Sequence, residues 1–131
     1  MENNPNKATK HGVTAVFNFV VSDEDIDDIM SAALDGGIAY WCCKAKVVGK
    51  YLGEYASEQI ARGGVLLLYD SEDGSVNELT LEKFLTGLRL WIEDERAFHL
   101  TEAGRLDVEQ IDAAAADAII QYALFDDVVY G

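Results

Sequence analysis

The sequence predicts an α+β domain, a small mostly antiparallel sheet with helices packed on one face, and three observations carry that expectation. Apolar residues recur at helical spacing in three stretches that open on the capping residues Ser22, Thr80 and Asp107. GVLLLYD, ending at Asp70, is an apolar run too short for a helix and reads as a buried strand. The turn Asp70-Ser71-Glu72-Asp73-Gly74-Ser75 then returns the chain through Val76–Leu79, which makes an antiparallel hairpin.

Taken in order, residues 1–11 are polar, hold the only proline, Pro5, and show no period, so they read as a disordered tail. Residues 12–131 form a single domain, since half of the 131 residues are apolar and no linker divides them. A first strand is expected from Gly12 to Val21. Val13, Ala15, Phe17, Phe19 and Val21 share one face by the two-residue period, and Val16 and Val20 make the other half apolar, as in a covered strand. Ser22 and Asp25 then match a capping box, and Ile26, Ile29, Met30, Ala33 and Leu34 form one apolar stripe. Asp23, Glu24, Asp27 and Asp28 load the positive end of that helix with carboxylates. Gly36 and Gly37 are expected to stop the helix in the left-handed conformation.

The next strand, about Ile38–Val48, alternates so that Trp41, Cys43, Ala45 and Val47 look inward while Tyr40, Cys42, Lys44 and Lys46 look outward. A short helix is expected over about Glu54–Arg62, ended at Gly63-Gly64. Thr80 caps a helix whose stripe is Leu81, Phe84, Leu85, Leu88, Trp91 and Ile92. After an irregular connector, Asp107 and Gln110 match a capping box for a last helix through Ile111, Ala115, Ala118, Ile119 and Tyr122, in which Ala113–Ala116 let a neighbour approach closely. The closing LFDDVVYG is a short strand or a docking tail.

Ten basic against 24 acidic residues give a net charge of −14, which repels phosphate backbones and anionic membranes and attracts basic protein surfaces. No apolar run reaches the roughly 18 residues of a membrane span, and the polar N-terminus lacks the apolar core of a signal peptide, so a cytoplasmic protein is expected. Adjacent Cys42 and Cys43 are badly placed to bridge each other and read as one core thiol and one accessible thiol.

Catalytic patterns are absent from the sequence. His11 and His99 lie in no triad or zinc motif, and a metal site from Cys42, Cys43 and His99 fails on geometry because strand neighbours point apart. A nucleophilic Cys42 beside Lys44 lacks a partner base. The glycine pairs lack the lysine of a phosphate loop, and DSEDG lacks the spacing of a calcium loop. The expectation is therefore a non-enzymatic protein without metal or cofactor. Tyr40, Trp41, Tyr51, Tyr55, Trp91 and Phe98 supply aromatics for the core or for a contact patch, with Trp41 and Trp91 assigned to the core.

In its acidic cap DEDIDDIM, its turn AALDGGIAYWC, its segment YLGEYASEQIARGG and its ending AIIQYALFDDVVYG, the chain resembles a family of uncharacterised small acidic proteins. These proteins are carried by phages and mobile elements of Gram-positive gut bacteria, and the similarity runs over most of the chain from Val20. The resemblance brings no catalytic residues. It implies an accessory role in the bacterial host cell, of the kind from which inhibitors of host defence such as anti-CRISPR proteins are drawn. Charge supplies the mechanism: CRISPR effectors hold nucleic acid in basic channels, which rows of carboxylates can occupy in place of phosphates. The contact face is then Asp23, Glu24, Asp27 and Asp28, extended by Glu93, Asp94 and Glu95. Two other readings stay open. One is a self-associating structural module, such as a homodimer; the other is a sponge for a small signalling nucleotide, built from Tyr40, Lys44, Lys46, Arg62 and Arg89.

Overall fold

The structure, a computed structural model, describes residues 9–14, 16, 18–95 and 107–131, with the side chains of residues 95 and 110 outside that description. Its elements are α1 (Asp23–Ala32), a wide π-type turn (Ala33–Gly37), β1 (Cys42–Val47), a 3₁₀ turn (Ala56–Glu58), β2 (Leu66–Asp70), β3 (Val76–Leu79), α2 (Leu81–Glu95), a second 3₁₀ turn (Val108–Gln110) and α3 (Ala113–Phe125). The three strands form one antiparallel sheet in the order β1-β2-β3, so the α+β expectation holds.

Register explains which face of the sheet is covered. Ala45 sits opposite Leu68 and Val47 opposite Leu66, while Leu66 and Leu68 face Leu79 and Asn77 on β3. These inward positions merge with Ile29, Met30, Phe84, Leu88, Trp91, Ile119 and Ile120 into one core, each large side chain contributing about 1.5–3 kcal/mol by leaving water. Lys44, Lys46, Val76 and Glu78 stand exposed on the other face, with Leu67 and Tyr69 half-buried between them. Helices therefore cover one side only. α2 and α3 pack on each other, and both α1 and the turn after it lie against α3. None of the described helices is long and apolar enough to cross a membrane.

The first predicted strand is not formed among the described residues. Of the described residues in Gly12–Val21 only Val20 makes an isolated bridge, and Val13 and Val16 are 90% and 89% exposed. A strand needs a neighbour to pair with, and among the described residues neither sheet edge receives this segment. Only its end is anchored, through Phe19 and Val21 against the core. Residues 1–8 of the predicted tail lie outside the described residues.

β1 departs from simple alternation. The register slips between Cys42 and Lys44, so two residues of β1 oppose one of β2, as in a bulge. Cys42 is consequently buried opposite Asp70 and Cys43 is exposed, the reverse of the predicted faces, whereas Trp41, Ala45 and Val47 do point inward.

Helix ends follow local chemistry with two corrections. The capping box of α1 is present, with the Asp25 amide donating to Ser22 Oγ at 3.1 Å and the Ser22 amide to Asp25 Oδ2 at 3.0 Å. Its C-terminal stop is not left-handed: Gly36 has φ of 171°, which is extended backbone. Gly37 is needed for space instead, because a Cβ there would stand 2.6 Å from the carbonyl oxygen of Ala113, the close approach expected of the alanine run. The predicted helix over Glu54–Arg62 reduces to the 3₁₀ turn and successive turns ending at Gly63, whose φ of +85° is left-handed. Asp107 caps only the second 3₁₀ turn, and α3 starts later on Asp112, which accepts from the Ala115 amide at 2.8 Å. The closing residues dock without forming a strand.

Candidate functional site: an acidic helix terminus and a tail-docking network

The carboxylates at the start of α1 have different duties. Asp25 is committed to the cap. Asp27 binds Arg62 at 3.0 Å, and Arg62 also donates to the Glu58 carbonyl at 2.8 Å, so this carboxylate ties α1 to the turns before β2. Its hydrogen bond to Asp27 is the main reason the guanidinium is more basic than usual, with Glu58 and Asp23 adding to the field. Asp23, Glu24 and Asp28 stand exposed on the same terminus. The predicted face is therefore rigid, and three of its four carboxylates on α1 face solvent without an ion pair among the described residues.

The proposed extension onto α2 is a separate surface. Glu93 pairs with Arg89 one turn earlier at 3.1 Å, Asp94 accepts from the Tyr122 hydroxyl at 2.6 Å, and the Glu95 side chain lies outside the described residues. Together with Leu90 and Asp127, Glu93, Asp94 and Tyr122 line an open depression of about 350 Å³ where α2 meets the end of α3.

The basic and aromatic set is not gathered into one pocket. Arg62 reaches α1, Arg89 stays within α2, Tyr40 reaches α3, and Lys44 lies 5.3 Å over the ring of Tyr69 on β2. Lys46 stands on the uncovered sheet face. Tyr51, Leu52 and Tyr55 are exposed within a single loop, as part of the aromatic surplus suggested, and Trp41 and Trp91 are buried as expected. Phe98 and His99 lie outside the described residues.

The cysteines and the hairpin loop offer little chemistry. Burial is the main cause that raises the Cys42 thiol above its ordinary value, which disfavours the thiolate a nucleophile needs. Among the described residues no three His, Cys, Asp or Glu side chains converge as metal ligands. In the DSEDG loop Asp70 accepts from the Glu72 amide at 2.8 Å and Asp73 from the Ser75 amide at 2.9 Å, so both close the turn.

A buried polar network was not foreseen. Asp117 and Gln121 lie one turn apart on the inner side of α3 and are both buried. Asp117 Oδ1 accepts from Trp41 Nε1 at 2.7 Å and from Gln121 Nε2 at 2.9 Å, and Oδ2 accepts from the Tyr40 hydroxyl at 2.6 Å. Gln121 Oε1 accepts the amides of Val129 and Tyr130, each at 2.8 Å, and its Nε2 donates back to the Tyr130 carbonyl at 3.1 Å. The Tyr130 ring stacks on Trp41 with centroids 5.4 Å apart, Phe125 meets both rings edge-on, and the Tyr130 hydroxyl donates to buried Asp70.

Every polar atom named here has a partner, and the network clasps residues 129 and 130 against α3. Burial first, then the bond to Asp117, raises the pKa of Tyr40; the bond to Asp70 pushes that of Tyr130 up to about 12. The available signal in the sequence was an acid and an amide four residues apart in a helix otherwise made of Ala, Ile and Leu.

No family model, curated protein or solved structure matches this chain.

Proposed function

We propose that the protein acts by binding another protein, not by catalysis, and that its partner presents a basic, nucleic-acid-binding surface such as the channel of a CRISPR effector. The observation that carries this reading is the α1 terminus, where Asp23, Glu24 and Asp28 stand exposed on a turn held by a complete capping box and by the Asp27–Arg62 pair. A preorganised row of carboxylates can meet arginines without first ordering its own backbone, which favours affinity as well as steering. With net charge −14 the whole molecule adds a long-range pull toward cationic surfaces.

The test is binding to a purified effector across ionic strength, using the native chain and Glu24→Lys/Asp28→Lys. Steep weakening with salt and a loss of at least about tenfold per reversed charge, roughly 1.4 kcal/mol each, are expected. A complex indifferent to both salt and charge reversal removes the proposal. Asp27→Lys is a poor probe on its own, because it also breaks the bond to Arg62.

A further inference from the structure

The segment Gly12–Val21 has a sequence built for a sheet, and its described residues join none of the three strands. Both its faces are rich in Val and Phe, yet Val13 and Val16 are nearly fully exposed and only Val20 makes a bridge among its described residues. The charge of this region is also unlike the rest of the molecule. Residues 3–22 hold Lys7, Lys10 and His11 and no carboxylate, whereas the chain after Ser22 has eight basic against 23 acidic residues.

The sheet supplies a matching edge. The Asp70 amide bonds the Ser75 carbonyl, which sets the alternation so that Ser75, Asn77 and Leu79 face β2 while the backbone of Val76 and Glu78 points away from the sheet. Of those outward groups only the Glu78 carbonyl is engaged, by Lys83 Nζ at 2.8 Å, among the described residues. Val76 and Glu78 are exposed on this strand, and Glu72, Asp73 and Glu82 are exposed in the segments that flank it in the chain. The opposite edge, β1, carries Lys44 and Lys46 and suits a cationic strand less well.

We propose that Gly12–Val21 of one copy adds as a fourth strand to the β3 edge of a second copy, with Lys10 set among the carboxylates around Glu78. Reciprocal donation closes the contact as a two-fold dimer in which the face of Val13, Phe19 and Val21 lies on the helix-covered side of the sheet and the outward amides of β3 are paired. This is independent of any basic partner and rests on the pairing and charge of the segment alone.

Sedimentation equilibrium of the full chain over a wide concentration range tests it, with Val16→Pro, Val16→Thr, Glu78→Lys and the double variant Lys10→Glu/Glu78→Lys. A dimer is expected for the native chain and for Val16→Thr, which keeps strand propensity. Val16→Pro, at an exposed site outside the core, and Glu78→Lys should each weaken association at least tenfold, and the double variant should recover part of that loss. A native chain that stays monomeric overturns the proposal, including a monomer whose amides in residues 12–21 are protected from hydrogen exchange by closing on their own sheet. A dimer unaffected by both Val16→Pro and Glu78→Lys overturns it as well.

Discussion

Gln121 shows how much a single buried side chain can organise. Its amide presents an acceptor to the Val129 and Tyr130 amides and a donor to Asp117, Tyr40 and the Tyr130 carbonyl, so both of its ends are used. Tyr130 in turn gives its hydroxyl to Asp70, and that bond leads to a pH prediction. Folding raises the phenol from its ordinary 10.0 to about 12, so the unfolded chain gives up this proton first. The stabilisation is complete below pH 10 and is lost as the pH climbs from 10 toward 12. Urea unfolding across that range should show falling stability, and Tyr130→Phe should both lower stability at neutral pH and flatten the alkaline decline. An unchanged decline in the variant would assign the effect to other groups.

At the level of elements, the contact between α2 and α3 depends on Gly87. A Cβ at this position would stand 2.6 Å from both the Ile119 carbonyl oxygen and the Ala123 amide nitrogen, which are backbone atoms that cannot swing aside. Gly87→Ala gains about 1 kcal/mol of helix propensity but overpacks at a cost of about 1–3 kcal/mol. Allowing for displaced backbone, a net loss of about 1–2 kcal/mol in urea unfolding is expected. A variant more stable than the native chain would mean that the helices separate at little cost.

Elements whose signals are local were legible in the sequence. The capping box of α1, the apolar stripe of α1, that of α2 apart from Leu85, which is exposed, and the β2–β3 hairpin with Gly74 at φ of +74° all follow from residues a few positions apart. Errors arose where the deciding partner is distant. The bulge in β1 is set by pairing with β2 and exchanges the faces of Cys42 and Cys43, and Gly12–Val21 has the composition of a strand but, among its described residues, only the isolated bridge at Val20. The capping pattern in the sequence puts the cap of the last helix at Asp107, whereas α3 is capped five residues later by Asp112. The candidate face was legible in its carboxylates but not in their duties, since pairing of Asp27 with Arg62 spans 35 positions.

For the molecule as a whole, charge is the dominant property. With −14 distributed over one small domain and only two ion pairs among the described residues, the folded state carries substantial self-repulsion. Raising ionic strength from about 0.01 M to 0.15 M shortens the screening length from about 30 Å to about 8 Å. The native fold should gain about 1 kcal/mol, seen by calorimetry as a rise of roughly 3–5 °C in Tm. A fall in Tm with salt would mean that the native pairs outweigh the repulsion.

The clasp on the closing segment also bears on how the chain is made. Residues 129 and 130 complete the hydrogen bonding of Gln121 and cover the indole of Trp41, side chains that emerge from the ribosome earlier. Until those two residues clear the exit tunnel, the Gln121 carbonyl oxygen and one face of the Trp41 indole are left to water or a chaperone. Vectorial synthesis therefore leaves this domain incomplete until residues 129 and 130 are free to dock.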